Sequence, residues 1–270
     1  MKRIHIVGSG PRTGTTLMAE TISSCFNVDQ HCDHEERLFT PNPTTGDTYL
    51  TKCPRDILIV RPILSVDPCL YVICMIRDPR DAIVSKHKLD PDVYWGRLKY
   101  WKAYLPYWRR IRDHSRVLTV RYEDLVLKPD ATQERISAWL PFLNIVSPFT
   151  SFHKVATPSA GSLKALGDVR PISPSAVGNW RKHLPRVKGQ IMMHGSIADD
   201  LIDFGYERDS DWLHLLDGIE PDFSPSHWPE FFTANRIRSL RRGATRHAAK
   251  VLLKRIRSLA SGKSVSCPQP

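Results

Sequence analysis

Two stretches of the chain place phosphate-binding residue types where a strand gives way to a helix. In the first, the apolar run Ile4-His-Ile-Val7 leads into Gly8-Ser-Gly10-Pro-Arg12-Thr-Gly14, and residues 15–26 have helical composition with apolar Leu17, Met18, Ile22 and Cys25. A glycine turn between a buried strand and a helix start offers backbone N–H groups to an anion, and the helix dipole adds a favourable potential there. Three readings stand. A nucleotide-triphosphatase loop requires Gly-Lys-Ser/Thr, but Gly14 is followed by Thr15 and Thr16, and Arg12 is the loop's only cation. A dinucleotide fingerprint requires GxGxxG, whereas Gly8, Gly10 and Gly14 give GxGxxxG. The third is a plain glycine turn with capping threonines. In the second stretch, Leu70-Tyr-Val-Ile-Cys-Met-Ile76 is the continuous apolar run of a strand buried on both faces. Asp78 then caps a helix whose first position is Pro79, with Arg77 and Ser85 at its two ends. His34, Glu35 and Glu36 supply candidate bases, and Lys52 a further cation. His31, Cys32, Asp33 and His34 are metal-ligand types, but no second ligand pair stands at zinc-site spacing, so the pattern points to no metal.

These residues carry a family resemblance. Gly10-Pro-Arg-Thr-Gly-Thr-Thr-Leu17 resembles the 5′-phosphosulfate-binding loop of sulfotransferases that use 3′-phosphoadenosine 5′-phosphosulfate (PAPS). Arg12 matches the arginine that the carbohydrate and tyrosylprotein branches often carry where the cytosolic aryl branch has lysine. Tyr71-Val-Ile-Cys-Met-Ile-Arg77-Asp-Pro-Arg-Asp-Ala-Ile-Val-Ser85 is similar to the family's 3′-phosphate-binding strand and helix, which implies that Arg77 and Ser85 hold the 3′-phosphate. Val120-Arg-Tyr122-Glu-Asp-Leu125 resembles the segment that supplies a tyrosine near the nucleotide, and Gly178-Asn-Trp180-Arg181-Lys182 the late Gly-x-Trp-Lys element that closes over the cofactor. Arg181 stands where lysine is usual, so either Arg181 or Lys182 is the phosphate contact. Lys52-Cys-Pro54 resembles a Lys-x-Pro element that directs a lysine at the sulfuryl group. Glu35-Glu36 stands where the tyrosylprotein branch has a Glu-Glu pair whose first member is the base, which implies Glu35 as base with His34 and Glu36 as alternates.

The resemblance implies a PAPS-dependent transferase with a P-loop-like fold, a three-layer α/β architecture with helices on both faces of a parallel sheet. Arg12, Thr13, Gly14, Thr15 and Thr16 would face the 5′-phosphosulfate, and Arg12, Lys52 and Glu35 would carry the transfer. Protein cations would stand in for magnesium. The expected acceptor is a saccharide or glycolipid hydroxyl; the alternatives are a tyrosine-directed protein sulfotransferase and a small-molecule kinase of the P-loop class.

The elements that must position these groups alternate strand with helix, adding a strand at Val117-Leu-Thr-Val120 and a helix over 131–140; ligands are then expected at the carboxyl ends of parallel strands. Trp95, Leu98, Trp101, Leu105, Trp108 and Ile111 form a helical stripe that is either core or an aromatic acceptor wall. Turn residues cluster over 157–162 and 171–174 and bracket a loop, either a surface connection or a lid. Residues 1–215 read as one domain, 216–235 as a linker and 236–263 as a basic amphipathic helix or tail.

The formal charge of the 270-residue chain is +11, but ten basic and no acidic residues follow Phe231, which leaves residues 1–230 with 29 basic and 28 acidic residues. The tail's stripe of Ile237, Leu240, Ala244, Ala248, Val251 or Leu252, Ile256 and Leu259 suits a helix lying on an anionic membrane surface, or one packed on the body. Nucleic acid is not an expected partner. Scattered cysteines without a CxxC pair, an N-terminus unlike a signal peptide and no membrane-spanning apolar run predict reduced thiols and a cytoplasmic location, peripheral to a membrane if the tail binds one.

Overall fold

The computed structural model describes residues 1–87, 90–227 and 234–260. In chain order the strands are β1 (Lys2–Gly8), β2 (Gln30–His31), β3 (Thr48–Lys52), β4 (Leu70–Ile76), β5 (Lys86–His87), β6 (Asp90–Tyr94) and β7 (Val117–Arg121). The helices are α1 (Thr15–Cys25), α2 (Val60–Leu64), α3 (Pro79–Val84), α4 (Leu98–Arg109), α5 (Tyr122–Leu127), α6 (Pro129–Trp139), α7 (Phe152–Val155), α8 (Ala160–Leu166), α9 (Leu184–His194), α10 (Ala198–Asp203) and α11 (Ala234–Ala260), with short 3-10 turns between them.

The main sheet runs β2-β3-β1-β4-β7 with every pairing parallel, while β5 and β6 form a separate antiparallel pair. Alternation along β4 explains its continuous apolar sequence. Leu70, Val72, Cys74 and Ile76 pack into one hydrophobic cluster with α2, α4 and α9, whereas Tyr71, Ile73 and Met75 pack into a second with α1 and α6. Both faces are therefore covered, and the fold is the mostly parallel α/β sheet that the alternating pattern predicts. Asp78 caps α3 by accepting from the backbone N–H of Arg80, with Pro79 at the first helical position.

The helix carrying the aromatic stripe is shorter than its sequence pattern. Trp101, Leu105, Trp108 and Ile111 are core, and Trp95 precedes α4, outside any helix. The turn-rich stretch also holds a helix, α8, which Ser159 caps through Ser162 N–H. Part of the tail stripe is taken up by the body: in α11, Ala244 and Ala248 are buried, Leu240 packs against the same core, the His247 ring sits 5.4 Å from that of Phe39, and Arg255 donates to the Val66 carbonyl at 2.7 Å, while Ile256 is exposed. Residues 261–263 of the expected tail lie outside the described residues, as does Cys267. Cys25, Cys32, Cys53 and Cys74 are free thiols, and Cys69, against expectation, is disulfide-bonded. No helix among the described residues is long and apolar enough to cross a membrane.

A buried polar network braces β1 against β3 and the turn that follows it. His5 Nδ1 lies 2.7 Å from Thr51 Oγ1 and its Nε2 3.5 Å from Asp56, whose carboxylate also takes the Arg37 guanidinium and the Leu38 N–H. Burial pushes His5 below the ordinary histidine value despite Asp56. The unfolded chain protonates His5 below about pH 6.5 while the folded chain resists, so the unfolded state binds more protons there and stability falls as pH falls, by at most about 1.4 kcal/mol per unit from this group. Urea unfolding of the wild type and His5→Gln between pH 7.5 and 5 should show a shallower acid loss in the variant.

Candidate active site

All five strands of the main sheet deliver groups at their carboxyl ends, the edge where open parallel sheets bind ligands. The glycine loop follows β1, His34 and Glu35 follow β2, Lys52 ends β3, Arg77 follows β4 and Tyr122 follows β7. Between them lies a cavity of about 420 Å³.

The loop folds by departing from ordinary backbone. Arg12 (φ 63°) and Gly14 (φ 84°) are both left-handed, a geometry that lets successive N–H groups converge on one point. Thr13 Oγ1 braces the turn by donating to the Gly10 carbonyl at 3.1 Å. Gly14 precedes α1 with no side-chain cap, so the first N–H groups of the helix are open to a ligand. A Cβ on Gly14 would stand 2.6 Å from the Tyr122 ring, and the same ring lies 4.4 Å from the Arg77 guanidinium. Tyr122 is thus a wedge between the glycine loop and Arg77.

Arg77 donates to the carbonyl of Arg12 at 3.0 Å and to that of Ala176 at 2.9 Å, and its Nε is buried without a partner. Arg12 Nε donates to Ser85 Oγ at 3.0 Å. Burial, and next the neighbouring Arg77 charge, push the Arg12 pKa down. Among the described residues neither guanidinium has a carboxylate within ion-pair distance. The nearby acids are engaged elsewhere: Asp81 accepts from the N–H groups of Gly178 and Trp180, and Glu123 from Asp78 N–H and the Tyr206 hydroxyl. Burial raises the pKa of both acids.

Lys52 is 1% exposed. Its ammonium donates to Thr16 Oγ1 at 2.9 Å, lies 3.5 Å from His34 Nδ1 and pairs with Glu35 at 3.6 Å. Burial lowers its pKa against the opposing pull of Glu35. Strand β3 therefore brings to the start of α1 the lysine that the loop itself lacks. His34, its pKa lowered first by burial and then by Lys52, also contacts Ser162 Oγ at 3.2 Å. Glu36 is separated from the other two candidate bases, because its carboxylate accepts from Tyr49 at 2.7 Å and Arg3 at 3.3 Å.

Of the residues singled out in the sequence, Arg12, Thr13, Gly14, Thr15, Thr16, His34, Glu35, Arg77 and Tyr122 line the cavity. Lys52 stands behind Thr16, and Ser85 stands behind Arg12. Arg181 and Lys182 are not brought there: both are exposed on the turn Asn179–Lys182, and the Arg181 guanidinium folds back to within 4.6 Å of the Trp180 ring. The cavity's remaining wall is the segment that sequence reading left as connection or lid. Asp168, Arg170, Ile172, Ser173 and Ala176 line it, and the segment is held by Ser159 on the Asp33 carbonyl at one end and by Arg77 on Ala176 at the other. Arg55, Trp95 and Phe152 also face the cavity. The turn clusters were the only sequence signal for the wall, since its residues become neighbours of the loop only in the fold.

Residues 23–142 match the family model described as Sulfotransferase family, a stretch that includes Glu35, Lys52, Arg77, Ser85 and Tyr122 and begins after the glycine loop. The matched stretch covers less than half of the chain. No curated protein matches the chain. Among solved structures it is similar to the sulfotransferase domain from the curacin biosynthetic pathway, with 13% identity and a TM-score of 0.46 over 67% of this chain and 91% of that one. It is also similar to the sulfotransferase domain from the Synechococcus PCC 7002 olefin synthase, with 16% identity and a TM-score of 0.42 over 67% of this chain and 87% of that one.

Gly14→Ala places a Cβ in left-handed backbone and against the Tyr122 ring. The backbone alone costs about 1–2 kcal/mol, so thermal denaturation should show a fall in Tm of several degrees, and an unchanged Tm would mean that Tyr122 is not wedged there.

Proposed function

We propose that the chain transfers a sulfuryl group from PAPS to an acceptor hydroxyl on a saccharide or glycolipid. The observation that carries this reading is the pair of neighbouring guanidinium groups, Arg12 and Arg77, at the mouth of a left-handed glycine loop with no carboxylate among the described residues at ion-pair distance. Such a pair fits a ligand with more than one anionic group, and the buried, unpartnered Nε of Arg77 gives that ligand a donor. When bound, PAPS supplies the sulfuryl group and a phosphate leaving group.

The chain's own residues then have separable tasks. The loop amides and the Thr15 and Thr16 side chains hold the 5′ end at the start of α1, and Arg77 reads the anionic group that distinguishes PAPS from a simple adenylate. Lys52 offsets charge that develops on the leaving oxygens, because its ammonium already sits beside Thr16. Glu35 takes the acceptor hydroxyl's proton; it lines the cavity and is held by Lys52, whereas Glu36 is committed to Tyr49 and Arg3. A wall that mixes Phe152, Leu166 and Ile172 with Asp168, Arg170 and Ser173 suits a ligand with hydroxyl edges and apolar faces.

Glu35→Ala should abolish transfer from labelled PAPS across a panel of saccharide and glycolipid acceptors, while calorimetry shows adenosine 3′,5′-bisphosphate still bound. Arg77→Ala should weaken the bisphosphate more than adenosine 5′-monophosphate, by about tenfold or more for one lost charge-assisted contact of 1.5–3 kcal/mol. Turnover of ATP with magnesium in place of PAPS would overturn the assignment in favour of a kinase.

A further inference from the structure

Part of the apolar stripe that sequence alone offers to a membrane is the face α11 turns toward the body, with Ala244 and Ala248 buried and Leu240 and Val251 partly so, whereas Ile256 of the same stripe is exposed. The opposite face has a different composition. At a period of 3.6 residues, Arg238, Arg242, Arg246, Leu253, Ile256 and Arg257 fall on the side away from Ala244 and Ala248, and all six are exposed. Asn235, Arg238, Ser239, Arg242, Gly243 and Arg246 line one groove on the helix. No Asp or Glu occurs anywhere after Glu230.

We propose that this outer face of α11 binds an anionic lipid surface, with Arg238, Arg242 and Arg246 on the headgroups and Leu253 and Ile256, joined by Leu252, entering the acyl boundary. The charge alone would suit any polyanion. The apolar half decides between them: Leu252 is 43%, Leu253 54% and Ile256 53% exposed, and these side chains gain from entering hydrocarbon and gain nothing from a sugar-phosphate backbone. The helix spans about 40 Å at 1.5 Å per residue and is fixed lengthwise to the body through Ala244, Ala248 and Arg255, so binding would hold the whole chain against the surface rather than at the end of a tether. The proposal does not rest on the sulfotransferase reading.

Sedimentation of the full chain with phosphatidylcholine vesicles, with and without phosphatidylserine, tests it. Binding should require phosphatidylserine and weaken with salt. At roughly 1 kcal/mol per cation near an anionic surface, Arg238→Ala/Arg242→Ala/Arg246→Ala should bind about a hundredfold more weakly. Leu253→Ser/Ile256→Ser should also bind more weakly while keeping the salt dependence, and the Tm of both variants should match the parent because every substituted side chain is exposed. Equal binding to both vesicle types, or by both variants, would overturn the proposal. Unchanged vesicle binding by Leu253→Ser/Ile256→Ser, together with tighter binding of the parent to RNA, would overturn it in favour of nucleic acid.

Discussion

Arg77 holds its guanidinium beside Arg12 by donating to two carbonyl oxygens, those of Arg12 and Ala176, and to no carboxylate. Two like charges, Arg77 buried and Arg12 half-buried, with no carboxylate at ion-pair distance among the described residues, oppose folding, so the rest of the molecule must over-determine their positions. It does so with rigid parts. Arg77 follows a strand whose seven residues are all buried, Tyr122 lies against both the guanidinium and Gly14, and the loop is braced across Thr13 and Gly10. The fold thus holds an arrangement that a multiply charged anion would relieve, which is the physical basis for reading it as a binding site.

The same constraint governs the neighbouring acids. Asp81 and Glu123 are close enough to feel Arg77, yet each is turned to backbone N–H groups or to Tyr206. Asp81 thereby ties the turn at Gly178 and Trp180 to α3, while Arg80, 4.0 Å from the Trp180 ring and 4.6 Å from the Trp212 ring, pairs with Asp78 and Glu207. One short helix start therefore organises two ion systems: a satisfied one inside the C-terminal part of the body, and an unsatisfied one facing the cavity. Removing Asp81 or Glu123 from Arg77 by hydrogen bonds is what keeps the cavity cationic.

Much of this was legible in the chain because it is local. The glycine spacing, the Asp78-Pro79 cap and the apolar run of β4 each act within a few residues, and they describe their elements to within a residue or two. Lys52, Glu35 and Tyr122 entered through motif likeness, and the parallel register that sets Lys52 beside Ile6 explains why a lysine so far along the chain reaches α1. Contacts across the fold left no local trace. Nothing near Arg181 indicates that its guanidinium folds onto Trp180, and nothing near Arg170 indicates that it lines the same cavity as the glycine loop. Choosing between Glu35 and Glu36 likewise depends on Arg3 and Tyr49, residues of other strands.

The two concentrations of positive charge differ in kind, and so should their response to salt. Arg12, Lys52 and Arg77 come from three separate stretches and are wholly or partly shielded from water, so mobile ions screen them weakly. Arg238, Arg242 and Arg246 of α11 come from one continuous stretch and stand in solvent, where a Debye length of about 8–10 Å at ordinary ionic strength screens them strongly. An amphipathic sequence read alone does not say which face meets the body, because burial in protein and burial in lipid select the same residue types. Here the small side chains Ala244 and Ala248 admit close approach to the core, and the larger Leu253 and Ile256 are left outside with the arginines.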